Sequence, residues 1–289
     1  MTTSPKMNFL TVDVEEHFEE AKDRSIIYPS RLADQLHRVL ELLRDEDSKA
    51  TFFFLGERAR ENPKLVREIA DAGHEIGSHS STHEFLYKMP FAKQEDEVRR
   101  SIRTIEDILG AKVVSFRAPY FSVMQSNARI LKLLAQEGIA FDSSIFPCSH
   151  PDYGWPGTPT TPYRISLSEG RSIIELPPST FSFGPWRLGV GGGAYLRFFP
   201  LWLTMRTLGR MSARGSPLVL YFHPWELDPS QPRMPLRLHY SVRHYYNLSK
   251  TEGRLRAILK SHKFAPCRDA SALSLPEVPM ARMIPSNVD

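Results

Sequence analysis

Two hydrophobic periods alternate along the first half of the chain. Phe9–Val14 has the pattern of a strand, and Leu32, Leu36, Val39, Leu40 and Leu43 then mark one face of a helix behind a Ser30 cap. Residues 50–55, ATFFFL, have the continuous apolar character of a strand buried on both faces. Asn62-Pro63 opens a helix that closes near Gly73, with proline inside its start and glycine past its end. Further strands are expected at 75–77, 112–117 and 139–142, with helices around 95–109 and 126–136 between them. Successive strand–helix units of this kind imply parallel strands joined by right-handed crossovers, in a barrel or an open sheet.

The pattern then changes. Residues 147–193 are rich in Pro, Gly, Ser and Thr, with an antiparallel pair expected at 163–166 and 172–176. Their aromatics, among them Tyr153, Trp155, Phe181, Phe183 and Trp186, mark an excursion from the core rather than a linker. Residues 194–211, AYLRFFPLWLTMRTLGRM, set aromatics on a helical period with Arg197, Arg206 and Arg210 between them. That suits a helix lying on a membrane surface. Packing of Tyr195, Phe198, Phe199, Trp202 and Leu203 against the domain is the commoner outcome and the one expected. A strand at 217–222 and a helix near 251–260 resume the core, and the Pro-rich tail after Ala270 is expected to fray. The organisation expected is one domain over residues 1–289: core 7–145 and 217–265, an insertion at 147–215, and a tail at 271–289.

Composition narrows the function classes. The 289 residues, 41% hydrophobic, suffice for one large α/β domain or two small ones. A net charge of +4, spread along the chain without a Lys/Arg run, argues against nucleic acid as a partner. Cys148 and Cys267 have no CxxC partners and read as two thiols in a reducing compartment. Asp13 interrupts the first apolar stretch before it becomes a secretory h-region, and no stretch reaches the ~18 apolar residues of a membrane span. A cytoplasmic protein is expected, with peripheral contact at the inner membrane face as a further option.

Six polar residues stand at the C-terminal ends of expected strands: Asp13, Glu15, His79, Arg117, Asp142 and His223. In a parallel α/β fold those ends converge on one mouth. His79 and His83 lie four apart, so a helical turn there brings both rings to one face within a rise of ~6 Å. A bare HxxxH pair also fits a polar loop facing solvent. Asp13 and Glu15 are two apart on a strand and point the same way, one to bind metal and the other to take a proton from water. Arg117 fits either a clamp on Asp13 or a surface arginine at a turn, and the Tyr120 N–H suits an oxyanion donor. His223, ending LVLYFH, is either a core histidine or a general acid, with Asp142 as its candidate partner; His74 reads as structural.

Taken in order, the blocks TVDVE, HSSTH, RAPYF, FDSS and LYFH resemble the NodB-homology polysaccharide deacetylases, carbohydrate esterase family four, over about residues 7–145 and 217–265. The resemblance implies a distorted (β/α) barrel with fewer than eight strands, here with an aromatic-rich insertion. It implies removal of acetyl groups, usually N-linked, from amino sugars, with a divalent metal that is commonly zinc. Asp13 then corresponds to the base, His79 and His83 to metal ligands, Arg117 to the tether of the base, Tyr120 to the oxyanion donor and His223 to the acid. Two departures stand out. Val14 replaces the second aspartate, the usual ligand, and Glu15 takes over that role, as in the D-x-D/E form of some peptidoglycan deacetylases and ring-amide hydrolases. FDSS lacks the tryptophan that usually follows its aspartate. DVEEHF, GGGAYLRFFP, FHPWELDP and RHYYNL further resemble deacetylases of exopolysaccharide loci and exosortase systems.

The expected function is metal-dependent removal of N-acetyl groups from a glycan containing N-acetylhexosamine, or from its precursor. The alternatives are a cyclic-amide hydrolase on the same scaffold, a glycan-binding module without catalysis, and a membrane-interaction protein acting through residues 194–211.

Overall fold

The computed structural model describes residues 7–19, 26–150, 152–184 and 186–284. Glu20, the last few tail residues and the side chains of Phe183 and Trp186 lie outside the described part. The first half runs β1 (Asn8–Val14), α1 (Leu32–Asp45), β2 (Thr51–Phe54), α2 (Gly56–Glu61), α3 (Pro63–Asp71), β3 (Glu75–Ser78), α4 (Phe91–Leu109), β4 (Ser115–Phe116), α5 (Ile130–Gln136) and β5 (Phe141–Asp142). The second runs β6 (Tyr163–Ser166), β7 (Ser172–Glu175), β8 (Thr180–Phe183), β9 (Trp186–Gly189), α6 (Ala194–Phe198), α7 (Leu201–Ala213), β10 (Val219–Phe222), α8 (Leu238–Tyr245), α9 (Leu248–Ser261), β11 (Phe264–Ala265), β12 (Glu277–Pro279) and α10 (Met280–Met283).

The main sheet follows the path β10-β1-β2-β3-β4-β5-β7-β6-β12, with β11 also on β1, and only the β6–β7 pair is antiparallel. This is a mixed α/β fold around a mostly parallel sheet. Side-chain alternation explains its two faces. Leu10, Val12, Val14, Phe52 and Phe54 join the large core under the helices, whereas Phe9 and Phe53 point the other way. There they meet Phe141 of β5, Ile174 of β7 and Val219 of β10 in one cluster. Strands far apart along the path share that cluster, so the sheet curls around it. Among the described residues no ladder joins β10 to β7. Single backbone bonds from Ser179 to Val219 and from Tyr221 to Gly191 cross the gap, beside an isolated Gly192–Tyr221 bridge.

Three expectations need correction. The 163–176 strand pair extends the main sheet through β5–β7 instead of leaving the core. The tail does not fray at Ala270: β12 pairs with β6 and α10 follows it. The aromatic helix is two helices, because Pro200 cannot continue α6 and leaves Phe199 extended. Phe198 and Trp202 consequently face solvent, with Trp202 67% exposed.

Candidate metal centre

The inward stripe of β1 climbs from floor to mouth: Phe9 in the apolar cluster, then Thr11, Asp13 and finally Glu15 just past the strand. Arg117 follows β4 and is fully buried above Phe53, 4.8 Å from that ring. Its fork is nearly saturated. Nη1 donates to Asp13 Oδ1 and to Thr11 Oγ1, both at 2.7 Å, while Nε and Nη2 donate to the carbonyl and hydroxyl of Ser143 at 3.0 and 2.6 Å. A guanidinium so placed fixes the Asp13 carboxylate in position and orientation.

One layer higher, Glu15, His79 and His83 each bring a ligand atom within 4.8 Å of the others, and all three are buried. Glu15 Oε2 lies 2.6 Å from His83 Nε2. The histidines do not meet on a helical turn. They flank a loop in which Ser80 has φ 67°, pinned by bonds from Gly56 N–H to Ser80 O and from Glu57 N–H to Ser81 O. The Glu97 carboxylate accepts from the backbone and hydroxyl of Thr82 at 2.8 Å and anchors the same loop. His79 Nδ1 donates to Arg117 O at 2.7 Å, which fixes its tautomer and leaves Nε2 as the ligating atom. Burial pushes its pKa down to about 4, so the ring is neutral, as a ligand must be. Burial alone would raise the Glu15 carboxyl, but His83 and His223 hold it well below the carboxylate range. Two imidazoles and a carboxylate form a zinc-type donor set with room for further ligands, and the residues fit such an ion.

His223 approaches from β10, its Nε2 3.5 Å from Glu15 Oε1. Its Nδ1 donates to Glu226 Oε1 at 2.7 Å, and the same oxygen accepts the His223 backbone N–H at 3.1 Å. Burial opposes the charged ring, yet Glu15 and Glu226 outweigh it and raise the pKa to about 9. Glu226 is in turn held by Arg197, whose Nε donates to Oε2 at 2.6 Å. Burial raises the Glu226 carboxyl less than Arg197 and His223 lower it, leaving it at about 2. The Trp225 indole N–H completes this side with a 3.1 Å bond to Glu15 Oε1.

Asp13, Glu15, His79, His83, Tyr120 and His223 line one cavity of about 500 Å³, with Arg117 beneath it. Tyr120 has φ 55° and stacks on Phe85 at 4.2 Å. Left-handed backbone at a residue with a side chain costs on the order of 1 kcal/mol and gathers at working sites. Asp142 is the residue the structure moves elsewhere. It does not reach His223: it faces Glu175 across the β5–β7 register and accepts from Ser144. Its burial raises the pKa to about 6, and burial together with Asp142 holds Glu175 well above its ordinary value. His74 is structural, accepting the Ala50 N–H at 3.2 Å. The sequence did not point to Arg197, Trp225 or Glu226. The only available signals were an arginine among the aromatics of GGGAYLRFFP and an acid three residues after the histidine in FHPWE.

Residues 2–141 match the family described as polysaccharide deacetylase, and residues 143–272 match "Domain of unknown function (DUF3473)". A peptidoglycan-N-acetylglucosamine deacetylase of Bacillus cereus is 36% identical over 96 residues, 32% of this chain and 34% of that protein. The peptidoglycan deacetylase of Helicobacter pylori is 28% identical over 138 residues, 48% of this chain and 43% of that protein. The chain thus spans less than half the length of these curated relatives. Among solved structures, a putative polysaccharide deacetylase from Mycobacterium smegmatis has TM-score 0.56 at 22% identity, covering 94% of each chain. Puue allantoinase has TM-score 0.62 at 15% identity, covering 91% of this chain and 88% of that one. A CE4 family pseudoenzyme from Bacillus anthracis has TM-score 0.52 at 17% identity, covering 96% and 70%. These likenesses establish the shared fold. Residues 2–141, just under half of the chain, are thus similar to polysaccharide deacetylases.

Proposed function

We propose that the protein is a metal-dependent hydrolase that removes N-acetyl groups from amino sugars of a polysaccharide or its precursor. One observation carries this reading. A carboxylate tethered by Arg117 sits directly below the Glu15, His79 and His83 cluster, and a charged His223 stands against the same cluster. Glu15, His79 and His83 would hold a divalent cation, zinc by its donors. When bound, such an ion polarises the amide carbonyl and makes water a stronger acid.

The remaining steps belong to the chain. Asp13, with Oδ1 engaged by Arg117, takes the proton of the attacking water on its other oxygen. The Tyr120 backbone, held at the cavity wall by the Phe85 stack, offers its N–H to the developing oxyanion. His223, with Nδ1 committed to Glu226, delivers a proton from Nε2 to the departing amine. The aromatic walls, Phe85, Tyr120, Tyr153 and Tyr240, suit the apolar faces of sugar rings. An exopolysaccharide or lipid-linked saccharide is the substrate class proposed.

The test is acetate release from N-acetylglucosamine oligomers by the zinc-loaded protein, run beside ring opening of small cyclic imides. Acetate release that falls by about 10²–10⁴-fold in Asp13→Asn supports the assignment. Ring opening without acetate release would replace it with a cyclic-amide hydrolase, and neither activity would leave a glycan-binding module.

A further inference from the structure

The second half of the chain carries two long stretches without acidic residues. No Asp or Glu occurs from residue 176 to 225 or from 229 to 251, although acids make up 33 of the 289 residues. Helices α6, α7 and α8 lie entirely within these stretches. Elsewhere several surface arginines are paired, among them Arg38 with Glu252, Arg99 with Glu137 and Arg256 with Asp45. On α7 and just past its end, Arg206, Arg210 and Arg214 are exposed, and none makes a side-chain hydrogen bond or ion pair among the described residues.

Exposed apolar side chains lie on the same set of helices. Leu238 and Val242 follow one another at four-residue spacing on α8 and are 81% and 46% exposed. Tyr246 continues the row and stacks on Phe198 at 4.8 Å, which joins it to the end of α6. Trp202 begins a row on α7 that continues with Arg206 and Arg210, again four apart. Exposed Trp, Tyr, Phe and Leu on helices that also carry unpaired arginines have the composition of a surface that meets headgroups and acyl chains together. A soluble partner of ordinary composition would not require acid-free stretches of this length.

We propose that α6, α7 and α8 form a docking surface for an anionic phospholipid membrane. Arg206 and Arg210 would contact headgroups, and Trp202, Leu238 and Val242 would enter the interface. Among the described residues no helix is long and apolar enough to cross a membrane, and the contact proposed is a peripheral one. It also has an orientation: Arg237, just before α8, and Tyr240 and Arg243 on it line the cavity, so docking through α8 sets the cavity beside the lipid headgroups. The proposal does not depend on the deacetylase reading.

Sedimentation of the full chain with phosphatidylcholine vesicles, with and without phosphatidylglycerol, tests it. Binding to the anionic vesicles that weakens with salt is expected. Each arginine neutralised lowers the partition about fivefold, so Arg206→Gln with Arg210→Gln should lose about 25-fold, while the lysine pair at the same positions binds nearly as well as wild type. Trp202→Ser with Leu238→Ser should lose about tenfold or more at unchanged thermal midpoint. Equal binding to neutral and anionic vesicles, or none to either, would overturn the proposal. So would a wild-type dimer that dissociates in the Trp202→Ser chain, because a second copy would then cover the face.

Discussion

Replacing Arg117 by methionine probes the layer on which the site rests. The guanidinium is fully buried and makes its bonds to Asp13, Thr11 and Ser143 at 2.6–3.0 Å. Methionine is well suited to the space between the Phe53, Phe121 and Tyr221 rings, so lost packing is small. What remains is an Asp13 carboxylate buried without its counter-charge. Breaking a buried pair from one side costs about 3–5 kcal/mol, which for a chain of this size lowers the thermal midpoint by roughly 6–20 °C. The diagnostic quantity is the coupling. Asp13→Asn alone leaves the guanidinium unbalanced, whereas the double variant Asp13→Asn, Arg117→Met buries no net charge. It should therefore be more stable than the sum of the single changes by about 2–3 kcal/mol. Urea denaturation of the four proteins, all stripped of metal by chelator, measures this without interference from the ion. Single effects that add to within about 0.5 kcal/mol would refute an Asp13–Arg117 pair.

Further expectations follow from other parts of the fold. The protonated Asp142–Glu175 pair has pKa values raised above those of the unfolded chain, so its stabilisation is complete below pH ~4 and declines as pH rises through about 6 and beyond. Glu175→Gln should flatten that decline and raise stability at pH 8 by roughly 1 kcal/mol or more; urea midpoints that track wild type at every pH would rule this out. Glu226→Gln should lower kcat about 10–100-fold with metal content and KM little changed, because it removes the partner that orients and charges His223; an unaltered kcat in acetate release would contradict that role. Gly192→Ala would place a Cβ 1.8 Å from the Tyr221 carbonyl oxygen, so a loss of at least 1–3 kcal/mol is expected by urea denaturation, and a neutral change would show that this loop does not press on β10.

What the sequence disclosed was chemistry that is local. Asp13 and Glu15 share a strand face because they are two apart, and Val12 and Val14 enter the opposite core for the same reason. His79 and His83 were recognisable from spacing, although a pinned loop and not a helical turn unites them. The partners of His223 were hidden because they arise from tertiary placement. Glu226 returns to it through the short turn after Pro224, and Arg197 arrives from a helix 29 residues before Glu226. Asp142 was assigned the wrong partner because a strand end reveals position but not register; Glu175 faces it only once β7 joins β5. The apolar period at 194–211 likewise said that a helix forms there and nothing about what would cover Phe198 and Trp202.

The metal content of three purified proteins tests the centre most directly. If Glu15 joins His79 and His83 around one cation while Asp13 stays off it, wild type and Asp13→Asn will each hold about one divalent ion per chain after zinc loading and desalting, and Glu15→Ala will hold almost none. Full occupancy in Glu15→Ala, or loss of the ion from Asp13→Asn, would show that the ligand set has been misassigned.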